Sequence, residues 1–378
     1  MMAYASSFWA ELTSIIMSII MSFGLTFGIF TPSETTTAAD YFNGEIKNVI
    51  FMIGDGMGSN HLEKTKAEKN IPLAMEAVDF RGSSKTRSLS SSVTDSAAGG
   101  TALAVGERTS NGAIGVYMTD LTATFSYPKS ITELCAERGM LTGVITTDET
   151  SGATPASFSA HESDRGRAEA ISNDQLNSGF NLIWGASNGY VSEAMAESTG
   201  FEFVSTYAEM MALPEGGRSF AQFNNALWTL EQSDSETPTL EQMTVKAIDI
   251  LDDSEEGFFL MVEGAHIDKH SHSNEDANMM EAVESFDRAI DYALQYAALD
   301  GETLVIVTAD HETGAITLDG DKYVFTSGSH SGVNVPVFVY GSENFIRKGE
   351  TVNNYELPIR VAYTLGFTED EFPFEVVA

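Results

Sequence analysis

Residues 48–58 read NVIFMIGDGMG. The run from Val49 to Ile53 is wholly apolar, short, and bounded by glycine, so it reads as a strand buried on both faces. The strand ends in a glycine-rich turn, Gly54-Asp55-Gly56-Met57-Gly58. Short apolar runs of the same kind recur at 141–145, 257–262 (GFFLMV), 303–308 (TLVIVT) and 335–340 (VPVFVY). Helical periodicity fills 130–138, 240–251 and 274–298. Buried strands alternating with helices predict an α/β fold, a mostly parallel central sheet flanked by helices on both faces. Residues 186–238 are polar and irregular and are expected to form insertions peripheral to that sheet. No internal repeat or long low-complexity linker divides the chain, so residues 40–378 read as a single domain.

Residues competent for metal or acid–base chemistry cluster just after the apolar runs. Asp55 follows the first, Glu263 follows GFFLMV, and Asp310 and His311 follow TLVIVT. Open α/β sheets place their ligands beyond the carboxyl ends of their strands. The segment 263–272, EGAHIDKHSH, holds three of the chain's seven histidines. Asp268 and His272, four residues apart, share a face if the segment is helical, which suits a divalent cation with nitrogen and oxygen ligands. A solvated acidic loop would not concentrate histidine in this way. Asp55 alone would pass for turn chemistry, and Asp310-His311 for a helix cap beside a surface histidine. His330 lies in the small-residue loop TSGSHSG, where an imidazole has little packing purpose. His61 opens a charged helical stretch and is expected to face solvent, and His161 to make a structural hydrogen bond.

Residues 92–104 read SVTDSAAGGTALA. The Ala/Gly-rich part predicts a tightly packed helix with Asp95 or Ser96 at its start. Such an N-terminus offers free amides and a positive dipole end to a phosphate, although Asp and Ser are also the ordinary residues for capping a helix.

Lys and Arg number 20 against 55 Asp and Glu, a net charge of −35. That balance argues against a nucleic-acid backbone or an anionic membrane surface as partner. A phosphate substrate would need local cations to overcome it. The single cysteine, Cys135, excludes an intrachain disulfide and a cysteine-based zinc site, and reads as a small apolar filler. Residues 8–30 are almost wholly apolar and a Thr/Ser/Ala segment follows, which reads as a signal peptide over residues 1–39 and an exported, periplasmic or secreted product. The run is also long enough for an uncleaved anchor, so a stable membrane partner is expected only if it is retained.

The blocks NVIFMIGDGMG, TDSAAGGTALA, ATPASFSAHESDR, MVEGAHIDKHSH, TADHETG and GSHSG, in this order over residues 48–332, resemble those of alkaline phosphatases. The resemblance is to compact bacterial members and implies hydrolysis of small-molecule phosphate monoesters, with Ser96 phosphorylated and then released by water. It implies two zinc ions, one held by Asp268, His272 and His330 and one by Asp55, Asp310 and His311. It implies a magnesium ion at Asp55, Thr154 and Glu263. Arg165 matches the arginine that grips two phosphate oxygens, Lys269 matches a variable position at the substrate, and a homodimer is common in the family. One position departs from the pattern. The residue two before Thr154 is usually an aspartate or histidine and is Gly152 here, so the magnesium site is expected to be weak, or helped by Asp148 or Glu149. Phosphodiesterases and sulfatase-like enzymes on the same fold are the competing enzyme reading. Arg165 and the block around Ser96 favour monoesters. A silent metal- or phosphate-binding protein is the remote alternative, and turnover separates it from an enzyme.

Overall fold

The computed structural model describes residue 41, residues 45–119 and residues 125–372. The expected signal peptide lies outside them. Among the described residues no helix is long and apolar enough to cross a membrane.

The centre is a ten-stranded sheet. Its strands, numbered along the chain, are β1 (Asn48–Gly54), β2 (Phe80–Lys85), β3 (Leu141–Glu149), β4 (Leu182–Ala186), β5 (Glu202–Val204), β6 (Ser219–Phe223), β7 (Phe258–Gly264), β8 (Thr303–Thr308), β9 (Val335–Tyr340) and β10 (Thr351–Asn353). They lie side by side in the order β10-β2-β9-β8-β1-β7-β3-β4-β6-β5. Only β9 runs against the rest, pairing antiparallel with β8 and β2. The five apolar runs of the sequence form the middle of the sheet and its antiparallel strand. Residues 186–238, expected to be peripheral, instead supply β5 and β6 at one edge, with irregular loops around them.

Both faces of β1 are buried, which is why its apolar run does not alternate. Ile50 and Met52 join a large core with residues of two long helices, Leu240–Leu251 and Asp276–Asp300. Phe51, pointing the other way, meets Phe158 with ring centroids 6.0 Å apart, and Phe158 in turn stacks on Phe259 of β7. Helices therefore cover both faces, as expected. Cys135 is wholly buried and free, a filler in the helix Ile131–Glu137.

Parallel pairing brings the strand ends to one edge. Ile53 of β1 stands opposite Glu263 of β7 and Thr308 of β8, and Glu263 stands opposite Thr146 of β3. Asp55, Asp310 and His311 leave their strands within two or three residues of that line.

Candidate active site

Four helices bring side chains to this edge. They are α1 (Ser59–Lys69), α2 (Ser96–Val105), α3 (Ala153–Ser157) and α4 (His266–His272). Helix α2 is buried along its whole length, and its small residues explain how. A Cβ added at Gly99 would lie 2.9 Å from the Asp310 carbonyl oxygen, and one at Gly100 would lie 3.0 Å from Ser157 Oγ. Alanine and glycine thus let the helix rest directly on the loop after β8 and on α3. Asp95 is the N-cap and accepts from the Ala98 amide at 3.0 Å. Ser96 is the first helical residue, and its Oγ lies 3.1 Å from His311 Nε2.

His311 is fully buried, and burial lowers its affinity for a proton. Its Nδ1 lies 3.3 Å from the Thr313 hydroxyl, which itself donates to Asp268 Oδ1. A hydroxyl has one proton to give, so Nδ1 carries the hydrogen and Nε2 keeps its lone pair. That lone pair faces Asp310 Oδ2 at 3.2 Å and Asp55 Oδ1 at 3.5 Å. Both oxygens are buried and without a hydrogen-bond partner. Asp310 Oδ1, by contrast, accepts from the Gly56 amide at 3.1 Å. Gly56 has φ +71°, and a Cβ there would lie 2.9 Å from Asp268, so the turn after β1 needs glycine.

Asp268 and His272, on one face of α4, are joined Oδ2 to Nε2 at 3.3 Å. His330, carried by the short strand His330–Ser331 that pairs with Glu312–Thr313, places its Nε2 3.6 Å from Asp268 Oδ1. The two Nε2 atoms of His272 and His330 are 3.1 Å apart. Each Nδ1 is engaged on a backbone carbonyl, His272 on Gly328 and His330 on Thr94. Carbonyls only accept, so in the neutral rings both Nε2 atoms are bare, as metal-ligating histidines require. Asp268, His311 and His330 also offer ligand atoms within 4.8 Å of one another, as do Asp55, Asp310 and His311. His311 therefore adjoins both groups.

Thr154 on α3 is buried and its Oγ1 has no partner. Glu263 is buried, and its Oε2 accepts from the Thr146 hydroxyl. Burial and the nearby Asp148 charge push the Glu263 carboxyl up to about 8. Burial with the charges of Asp310, Asp268 and Glu263 raises Asp55 well above the carboxylate range. For Asp268 burial acts upward, but the bond from His272 and the His311 and Thr313 contacts outweigh it and hold the carboxyl low. Carboxylates that raise one another, beside orphaned oxygens and bare imidazole nitrogens, form a donor set that a divalent cation would satisfy.

Arg165 is exposed, and its Nη1 lies 3.3 Å from Asp95 Oδ2. The Lys269 ammonium pairs with Asp148 and, although burial acts against its charge, that pair raises its pKa. The structure thus gathers Ser96, Asp55, Asp310, His311, Asp268, His272 and His330 through direct contacts. Arg165 is tied to the N-cap of α2, and Glu263 and Lys269 to β3.

His61 differs from its expectation. It is wholly buried, accepting from the Gly58 amide at Nδ1 and meeting Ser271 of α4 at Nε2, 3.0 Å away. Lys64, one turn on, is buried beside it, and on so polar a helix periodicity does not reveal which face is covered. His161 bonds the Gly115 carbonyl and Glu133, a structural role as expected. His266 and His270 pack on Trp228, with ring centroids 5.6 and 4.4 Å away. Asp95, Thr146 and Thr313 orient other site residues and were not singled out as such from sequence. The signal for Asp95 was its place beside Ser96; short hydroxyl residues at strand ends carry no comparable mark.

The family model for alkaline phosphatase matches residues 46–185 and 190–327. Alkaline phosphatase 4 of Bacillus subtilis is 33% identical over 313 residues, covering 77% of this chain and 67% of that protein. The Escherichia coli alkaline phosphatase is 30% identical over 334 residues, covering 70% of each. Among solved structures, alkaline phosphatase from the Antarctic bacterium TAB5 superimposes with a TM-score of 0.73 at 32% identity, covering 85% of this chain and 98% of that one. The extent and identity of these matches show that the chain belongs to the alkaline phosphatase family.

Proposed function

We propose that the chain hydrolyses phosphate monoesters through a phosphoserine formed on Ser96. Asp268, His272 and His330 would hold one zinc ion, Asp55, Asp310 and His311 a second, and Asp55, Thr154 and Glu263 a magnesium ion. The observation that carries the reading is the placing of Ser96 Oγ, at the amino end of α2 and 3.1 Å from an imidazole nitrogen that is also turned toward two unpartnered carboxylate oxygens. When bound, the cations would supply the positive charge that favours a serine alkoxide and steadies the entering and leaving oxygens.

The chain's own residues do the rest. The amino end of α2 gives the phosphate free amides and the positive end of the helix dipole. Asp95 caps that helix with one oxygen and holds Arg165 with the other. The planar guanidinium, held by the residue before the nucleophile, would bond two phosphate oxygens. Lys269 adds a further positive charge for the substrate. These local cations offset the repulsion of a chain with net charge −35. Export through residues 1–39 and a homodimer in solution belong to the same reading.

Turnover of a chromogenic aryl phosphate monoester against the matching diester tests it. Chelator-sensitive monoester hydrolysis well above diester hydrolysis supports the reading. Folded, metal-supplied protein that cleaves the diester better, or neither, overturns it.

A further inference from the structure

Strand β3 does not run cleanly to its end. Ile145 pairs with Trp184 and Glu149 with Ala186, so three residues, Thr146, Thr147 and Asp148, stand opposite Gly185 alone. Bulges of this kind re-aim side chains beside functional sites. Here each residue of the bulge grips a different part of the β7–α4 segment. Thr146 donates to Glu263. Thr147 Oγ1 accepts from the Ala265 amide at 2.9 Å and lies 3.1 Å from His266 Nδ1. Asp148 binds Lys269 through its carboxylate, and its own amide donates to Thr146 Oγ1 at 2.8 Å. Asp148 therefore touches the site from two sides, through Lys269 and through the Thr146–Glu263 bond.

Two glycines make room for this. A Cβ at Gly185 would lie 2.7 Å from the Asp148 carbonyl oxygen, so the bulge fits only against glycine. A Cβ at Gly152 would lie 2.8 Å from Asp148 Oδ2. The Asp148 carboxylate thus borders the space that a side chain at position 152 would take, at the N-cap of the helix that carries Thr154. Glu149, the neighbouring acid, is exposed and makes no such contact with Lys269.

We propose that Asp148 is a positioning residue of this site. Its carboxylate holds Lys269 and supplies, beside Thr154 and Glu263, the negative charge that Gly152 lacks. The inference rests on the magnesium assignment proposed above and adds to it a residue from a different place in the chain.

The test is calorimetric titration of magnesium into zinc-loaded, magnesium-free protein, with no substrate present. Asp148→Asn keeps the shape and removes the charge, and is expected to weaken magnesium binding by about tenfold, the usual lower range for losing a group that orients metal ligands. Asp148→Ala is expected to do the same. Adding Gly152→Asp to Asp148→Ala moves the carboxylate across the vacated space, with only a small adjustment against the Glu149 carbonyl oxygen 3.0 Å from the new Cβ. Aspartate is also a favoured N-cap. The double variant is expected to recover most of the lost affinity, which a merely structural role for Asp148 would not produce. Wild-type affinity in Asp148→Asn, or a double variant no tighter than Asp148→Ala, would overturn the inference while leaving the phosphatase reading intact. A wild type that takes up no magnesium would overturn the magnesium assignment and this inference with it.

Discussion

His272 and His330 face each other through their Nε2 atoms at 3.1 Å, each anchored behind by a backbone carbonyl on Nδ1. Without a metal the bond to Asp268 keeps a proton on His272, whose pKa is pushed up to about 9, and with the rings neutral both nitrogens are bare, so the pair shares a proton or a cation.

Replacing either histidine should therefore strike metal content before it strikes folding. His272→Ala and His330→Ala are each expected to lower zinc affinity tenfold or more, by loss of a ligand. His272 is exposed and His330 half-buried against His311, so the melting temperature of the metal-free His272→Ala protein should stay close to wild type and that of His330→Ala should fall only modestly. Elemental analysis after dialysis against a zinc buffer, with melting curves in chelator, checks both halves. Full zinc retention in both variants would contradict the assignment.

Asp95 caps α2 with Oδ1 and takes both Arg165 and the Gly112 amide on Oδ2, and two substitutions separate the cap from the rest. Asp95→Asn can still accept from the Ala98 amide but loses its charge toward Arg165. It is expected to lower stability somewhat, because its amide nitrogen would face the Gly112 amide that Oδ2 now accepts at 3.0 Å, and to raise the inhibition constant of inorganic phosphate several-fold. Asp95→Ala should in addition lose ~1 kcal/mol of stability with the cap. Denaturant melts and phosphate inhibition measured together decide whether the two effects divide in this way.

Much of the fold was legible because the five central runs are apolar on both faces and cannot be anything but interior. The edge was not. Phe80–Lys85 (FRGSSK) lies one strand in from the edge and pairs with β9 and β10 although it is polar, because partners on both sides satisfy its backbone while most of its side chains stay part-exposed. Leu182–Ala186 (LIWGA) is apolar but short and ends where the polar, irregular segment begins, and Ser219–Phe223 (SFAQF) is too mixed to stand out within that segment. The site was legible for a different reason. Asp55, Glu263 and Asp310-His311 each follow a strand, and parallel strands must end together. What composition and spacing could not give was orientation. The burial of His61 and the grip of the β3 bulge on α4 depend on contacts between segments about 120 to 210 residues apart.

His61 gives the account a pH dependence. Burial lowers its pKa from 6.5 to about 4, so the folded chain resists a proton that the unfolded chain accepts. Stability from this residue is present above pH 6.5 and is lost as pH falls from there toward 4. His61→Asn keeps an acceptor for the Gly58 amide and cannot titrate. It is expected to be less stable than wild type at pH 8 and to lose less stability than wild type between pH 6.5 and 4, by ~3 kcal/mol at most. Urea melts across that range, in chelator, check the slope. Parallel curves for the two proteins would show that His61 does not titrate as its burial requires.

Hydrolysis by the proposed route requires Ser96 to carry the phosphate during turnover. The most direct measurement is acid quenching of the enzyme during hydrolysis of an aryl phosphate monoester, followed by mass spectrometry of its peptides, with Ser96→Ala in parallel. A phosphate on Ser96 is expected in the wild type, and in Ser96→Ala neither the adduct nor more than a trace of turnover. A phosphate found on another residue, or a Ser96→Ala enzyme that turns over like wild type, would contradict it.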